Sequence, residues 1–243
     1  MRALVAAGRL MRLVPHVLHG LWIVRRRFEL LAAPERHQLI QWWSAKTLRI
    51  LGIALKVEGQ ALPAGHMVVA NHVSWLDIAA VHAVLPQARF VSKADVRHWP
   101  LAGALVEGAG TLFIERESKR DALRVVHQAA AALQGGDCVA FFPEGTTGPG
   151  PELLPFHANL LQAAVSVDAA VLPLVLRWHE PGERFSTSAR FIGSTTLVQS
   201  LWAIASARGL GIDVQILPAV SPSGLDRRAL SDVLRGSISA KLG

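Results

Sequence analysis

From residue 53 onward, short apolar runs alternate with segments of helical periodicity. The runs at 53–57, 67–70, 89–92, 111–114, 138–142, 171–176, 189–192 and 214–217 have the length and side-chain content of strands. Between several of them apolar positions recur every three or four residues, which predicts helices over 74–84, 119–133, 156–165, 197–207 and 225–238. Such alternation predicts an α/β fold, a mostly parallel sheet flanked by helices. The Gly/Pro-rich stretch 145–155 falls inside this body and reads as a functional loop. No internal repeat, low-complexity tract or long linker interrupts it.

Ahead of the body the pattern changes. Leu10, Leu13, Val14, Val17, Leu18 and Leu21 share one helical face, and Arg9, Arg12, His16 and His19 another. Pro15 is expected to kink this helix or to end its first turn. A second helix is predicted over 35–51, carrying Trp42 and Trp43. The stretch 13–24 is free of Lys, Arg, Asp and Glu, well short of the roughly 20 residues a bilayer crossing needs. Arg25, Arg26 and Arg27 follow at once, with Trp22 just before them, and arginines in that place fit a cleaved signal peptide badly. The expected division is a basic amphipathic helical segment at 1–52 and an α/β domain at 53–243.

Charge sharpens that division. The chain of 243 residues has a formal net charge of +7. Residues 1–58 hold ten Lys+Arg and three Asp+Glu, and the remainder holds fifteen of each. The basic excess therefore belongs to the leader, which points to an anionic membrane surface and away from nucleic acid. Interfacial tryptophans on a basic amphipathic helix suit a headgroup plane. The other reading is a helical pair packed on the domain with its arginines solvated. A single cysteine, Cys138, excludes an internal disulfide framework and any multi-cysteine metal site.

In sheets of this class ligands gather at the carboxyl ends of the strands. The run 67–70 is followed by Asn71, His72, Val73, Ser74, Trp75, Leu76 and Asp77. With Ser74 as helix cap, Asp77 in the first turn reaches back and fixes the tautomer of His72. The second ring nitrogen is then a general base, and an ordinary histidine pKa near 6.5 suits that work. The competing reading is a plain Ser-x-x-Asp capping box. Arg116, after 111–114, and Lys93, after 89–92, are candidate anion clamps or merely solvated strand-end charges. After 138–142, Pro143 and Gly145 set a tight turn that presents Glu144. Glu144 is expected to orient Arg116 or a substrate hydroxyl, with Thr146, Thr147 and nearby backbone N–H groups donating to the acceptor; the alternative is a turn with Glu144 in water.

Other chemistries lack their motifs. There is no phosphate loop of the G-x4-GK[ST] kind, no G-x-G-x-x-G fingerprint and no G-x-S-x-G elbow. Cys138 opens an apolar strand and reads as an inert core thiol.

The four segments 71–77, 113–116, 142–146 and 171–174 resemble, in order and style, the motifs of the glycerolipid acyltransferases, with His72-x4-Asp77 as the HxxxxD motif. The bacterial lysophosphatidate acyltransferase branch is the nearest likeness. The resemblance implies transfer of a fatty acyl group from acyl-CoA or acyl-carrier protein to a lysolipid hydroxyl, with no metal and no cofactor beyond that co-substrate. It implies His72 as base, Asp77 as its partner, and Arg116 with the Glu144-Gly145 turn on the acceptor. Pro173 becomes a structural or acyl-site residue. The implied location is the cytoplasmic face of the inner membrane, peripheral or monotopic. Two departures stand out: Thr147 where the family often has arginine, and His157, Ala158 and Asn159 after Phe156 where many members carry Lys and Gly. Lyso-ornithine lipid therefore stays open as acceptor beside 1-acyl-sn-glycerol-3-phosphate. A non-catalytic lipid-binding protein and a thioesterase are the alternatives on the same scaffold.

Overall fold

The computed structural model describes residues 2–63, 65–99, 102–114 and 119–243. Two helices, α1 (Arg2–Arg26) and α2 (Ala33–Ile50), precede seven strands: β1 (Ala54–Glu58), β2 (Met67–Ala70), β3 (Ala88–Lys93), β4 (Leu112–Ile114), β5 (Cys138–Phe141), β6 (Val171–His179) and β7 (Gly211–Ile216). Between and after them lie α3 (Asp77–Val84), α4 (Ala102–Gly108), α5 (Lys119–Gln134), α6 (Leu161–Val167), α7 (Leu197–Ser206) and α8 (Arg227–Leu242). The sheet order is β1-β7-β6-β2-β5-β3-β4. Every neighbouring pair is parallel except β6 with β7.

Strands β2 and β5 are buried along their whole length, which is why they read as unbroken apolar runs. Period-two alternation divides their side chains between two cores. Val68, Ala70, Ala140, Leu172, Leu174 and Leu176 pack with α1, α2, α3 and α7, while Met67, Val69, Val139, Phe141 and Val171 pack with α5, α6 and α8.

The segment 189–192 is not a strand. Ala189 is buried, but Phe191 N–H donates to the carbonyl of Val73 at 3.0 Å. This apolar run crosses the loops at the strand ends and is held by them, so its backbone groups are not available to a ladder. Helix α3 begins at Asp77, three residues later than expected, because Val73 and Ser74 give their N–H groups to the Asp77 side chain. The helix expected at 156–165 is confined to α6, and α4 was not anticipated.

The faces of α1 also differ from expectation. His16 is buried, its Nε2 lying 3.0 Å from the Trp43 carbonyl and 3.2 Å from Thr47 Oγ1, and its ring stacks on Trp43. Arg9 donates to the carbonyls of Ala205 and Ala207 at 2.9 and 2.8 Å, satisfying groups at the end of α7. Both polar side chains thus find partners inside. Meanwhile Leu4, Met11, Val14, Leu18 and Trp22 are each more than half exposed. Spacings of three, four and seven place these five on one outward stripe. Among the described residues no helix is long and apolar enough to cross a membrane.

Candidate active site

Where β2 ends, the side chain of Asn71 continues the ladder: Nδ2 donates to the Leu176 carbonyl at 2.9 Å and Oδ1 accepts from Leu176 N–H at 2.8 Å. His72 follows at once. Its Nδ1 lies 2.8 Å from Asp77 Oδ2. The same oxygen accepts the N–H groups of Val73 at 2.7 Å and Ser74 at 2.9 Å, and Oδ1 accepts the indole N–H of Trp178 at 2.6 Å. Asp77 is wholly buried. A carboxylate already accepting from three N–H donors is an acceptor toward the ring as well, so the shared proton sits on Nδ1. Nε2 keeps its lone pair. Ser74 is not the helix cap, since Leu76 holds that position without a side-chain bond; one side chain nonetheless makes the contacts both readings named, with Asp77 accepting the Ser74 N–H and meeting the His72 ring.

The imidazole lies flat on Phe142, with ring centroids 3.9 Å apart and planes 4° from parallel. Its main chain is held from the same side. Glu144 Oε1 accepts His72 N–H at 2.7 Å, and Gly148 N–H donates to the His72 carbonyl at 2.7 Å. The second Glu144 oxygen accepts Leu154 N–H at 2.8 Å. Glu144 is buried, and burial pushes its carboxyl above the usual carboxylate range against the pull of those two N–H groups. The structure therefore uses this carboxylate as a clip between two loops, and its burial excludes a turn with Glu144 in water. Gly145 makes the clip feasible, with a φ of 68° and its N–H bonded to the Phe142 carbonyl at 3.0 Å.

His72 faces a cavity of about 400 Å³, inside the ~300–1,000 Å³ range of sites that hold small organic molecules. Its walls are mostly apolar: Trp75, Phe90 and Phe142 near the imidazole, Gly20, Ile23 and Val24 from α1, Leu39, Ile40 and Trp43 from α2, and Leu105 and Val106 from α4. The leader is a wall of the site as well as a leader. Gly20 matters here, because a Cβ on it would come within 2.4 Å of Trp43 Nε1.

Lys93, Gly145, Thr146 and Thr147 line the same cavity as His72. Thr146 is exposed, whereas the Thr147 hydroxyl donates to the Phe191 carbonyl. Arg116 lies outside the described residues. Pro173 is buried in β6 opposite Val69 and its carbonyl accepts Leu217 N–H at 2.9 Å, a placement within the sheet and not on the cavity wall. Cys138 starts β5 at the far end from the site, and burial pushes its thiol up to about 12. Phe142, Trp178 and Asn71 were missed as site residues. Asn71 and Phe142 stood inside the motif segments 71–77 and 142–146 without a role, while Trp178 carried the signal of an indole in an apolar stretch, whose N–H must find a partner.

The family profile named Acyltransferase matches residues 54–177, just over half of the chain. The chain belongs to the acyltransferase family. It is 38% identical over 198 residues to the lyso-ornithine lipid O-acyltransferase of Pseudomonas aeruginosa, covering 82% of this chain and 76% of that one. It is 41% identical over 197 residues to the 1-acyl-sn-glycerol-3-phosphate acyltransferase of Neisseria gonorrhoeae, covering 79% and 76%. The crystal structure of the 1-acyl-sn-glycerophosphate acyltransferase PlsC from Thermotoga maritima superposes with a TM-score of 0.75 at 20% identity, covering 100% of this chain and 96% of that one. That likeness establishes a shared fold.

Proposed function

We propose that this acyltransferase moves a fatty acyl group from acyl-CoA or acyl-carrier protein to the free hydroxyl of a lysolipid, 1-acyl-sn-glycerol-3-phosphate first among acceptors. The observation that carries the reading is the His72–Asp77 pair at 2.8 Å, opening on an apolar cavity. The acceptor oxygen attacks the thioester carbonyl while Nε2 of His72 takes its proton. A C–O bond forms, the tetrahedral intermediate collapses with cleavage of the C–S bond, and the departing thiolate recovers the proton from the imidazolium. General-base help of this kind is typically worth 10²–10⁴ in rate, and positioning of the acyl chain in the cavity adds to it.

Lys93 on the cavity suits an anionic headgroup. A second reading, lyso-ornithine lipid as acceptor, is favoured by the commitment of the Thr147 hydroxyl to Phe191 and by the name of the Pseudomonas relative. The exposed stripe of α1, with Arg25, Arg26 and Arg27 at its end, is proposed to lie in the headgroup plane of an anionic membrane, on the cytoplasmic face of the inner membrane.

Purified protein, incubated with acyl-CoA and a panel of lysolipids and read by mass spectrometry and thiol release, tests this. Phosphatidic acid is the expected product. Acylated ornithine lipid instead selects the second reading. Thiol release that ignores added lysolipid turns the protein into a thioesterase, and no release at all leaves a lipid-binding protein.

A further inference from the structure

Asp77 sits between two ring systems. On one side is the imidazole it orients; on the other is the indole of Trp178, on β6, only 2% exposed. The Asn71–Leu176 pair of hydrogen bonds fixes β6 against the start of the His72 loop, and Trp178, two residues on and facing the same way, is thereby placed beneath Asp77. Among the described residues Trp178 is the donor to Oδ1, while Oδ2 serves His72, Val73 and Ser74.

Resting on the acyl-transfer reading above, we infer that Trp178 is a positioning residue of the reaction, its N–H holding the Asp77 carboxylate in the rotamer that presents Oδ2 to His72. An indole N–H only donates and does not ionise in the working range. It therefore pins the carboxylate equally well before and after the imidazole is protonated. It also draws charge from the carboxylate, and so limits how tightly Asp77 holds the imidazolium formed during attack. A bond to a charged acceptor in a dry site is among the stronger ones available to a side chain. Without it, Oδ1 stays buried with no donor, and the carboxylate is held by the contacts of Oδ2 alone.

The test compares the full-length protein with Trp178→Phe and with Trp178 replaced by its benzothienyl isostere, in which sulfur stands for the N–H and packing is kept. For both, kcat falls about tenfold, the size set by one charge-assisted hydrogen bond, while KM for the acyl donor changes little. The acid limb of the kcat/KM profile moves to higher pH, since a carboxylate relieved of one donor attracts the ring proton more strongly. The titratable groups around His72 among the described residues are Asp77 on the ring, Glu144 on its backbone N–H, and His82 and Lys93 on the shared cavity, and all four are left in place. A purely structural tryptophan would lower the melting temperature of the Phe variant and leave the limb where it was. An unmoved limb in the isostere variant overturns the inference, whatever the rate does. The His72 ring is followed in parallel by NMR titration, which needs no turnover. An active His72→Ala protein would defeat the acyl-transfer mechanism, while the ring titration still reports on Trp178.

Discussion

Glu144 Oε1 accepts the backbone N–H of His72 at 2.7 Å, joining residues 72 positions apart in sequence. With Gly148 on the His72 carbonyl, the loop after β5 grips both main-chain polar groups of the proposed base. The third sequence motif thus acts on the first through the backbone. In Glu144→Gln one carboxylate oxygen becomes an NH2 facing an N–H. A buried donor left unpaired costs about 1–3 kcal/mol, so a melting temperature lower by roughly 2–10 °C is expected. Turnover should fall tenfold or more as His72 loosens, checked by thermal melts beside steady-state rates.

His72→Ala should remove transfer activity, by at least the 10²–10⁴ of a general base, with an unchanged circular dichroism spectrum. Cys138→Ser should retain most turnover, because a thiol pushed up to about 12 is not a nucleophile at neutral pH. A folded but inactive serine variant would redirect attention to an acyl-cysteine intermediate.

The outward stripe of α1 makes a separate prediction. Leu18→Glu with Trp22→Glu alters only exposed positions, so the melting temperature should hold within about 1 °C. Sedimentation with anionic vesicles should weaken at least tenfold, given about 1.5–3 kcal/mol for each large apolar side chain taken out of water. Added salt should weaken binding of the parent protein, through Arg25, Arg26 and Arg27. Deleting residues 1–34 goes further, since it strips Gly20, Ile23, Val24 and Phe28 from the cavity wall; activity should then be lost even in detergent.

His82 is buried, with Nε2 bonded to the Ala88 carbonyl at 2.9 Å, and burial pushes its pKa down to about 4. The unfolded chain binds that proton near pH 6.5. A folded value below the unfolded one means stability is fully present above about pH 6.5 and lost as pH falls toward 4. At pH 5 the loss is about 2 kcal/mol. Urea midpoints at pH 7 and pH 5 should show it, and His82→Gln, which keeps a donor for Ala88, should flatten the difference.

How far the sequence foretold this structure depends on what each signal was about. Strands β2 and β5 were legible because burial on both faces leaves a bare apolar run. The pairing of His72 with Asp77 was legible because five positions span one turn from loop to helix. Phe191 and Ile192 look like strand residues too, but their segment is claimed by Val73 and Thr147, loops distant in sequence. The faces of α1 misled because apolar residues lie on both sides of it, and the choice was made by Thr47 and Trp43 on another helix. Glu144 read as a partner for Arg116 or a substrate hydroxyl, and nothing local reveals that the N–H groups of His72 and Leu154 converge on it.

One helix, α1, carries two obligations set by rotation about its axis: Gly20 must meet Trp43, and Leu18 with Trp22 must look outward. Each residue advances the helix by about 100°. Inserting or deleting a single residue near position 15 would swing everything beyond it by that angle, wedging bulky groups against the indole and turning the greasy ridge aside. Length there is constrained more tightly than identity, so drift in this leader should run through substitutions and spare the residue count.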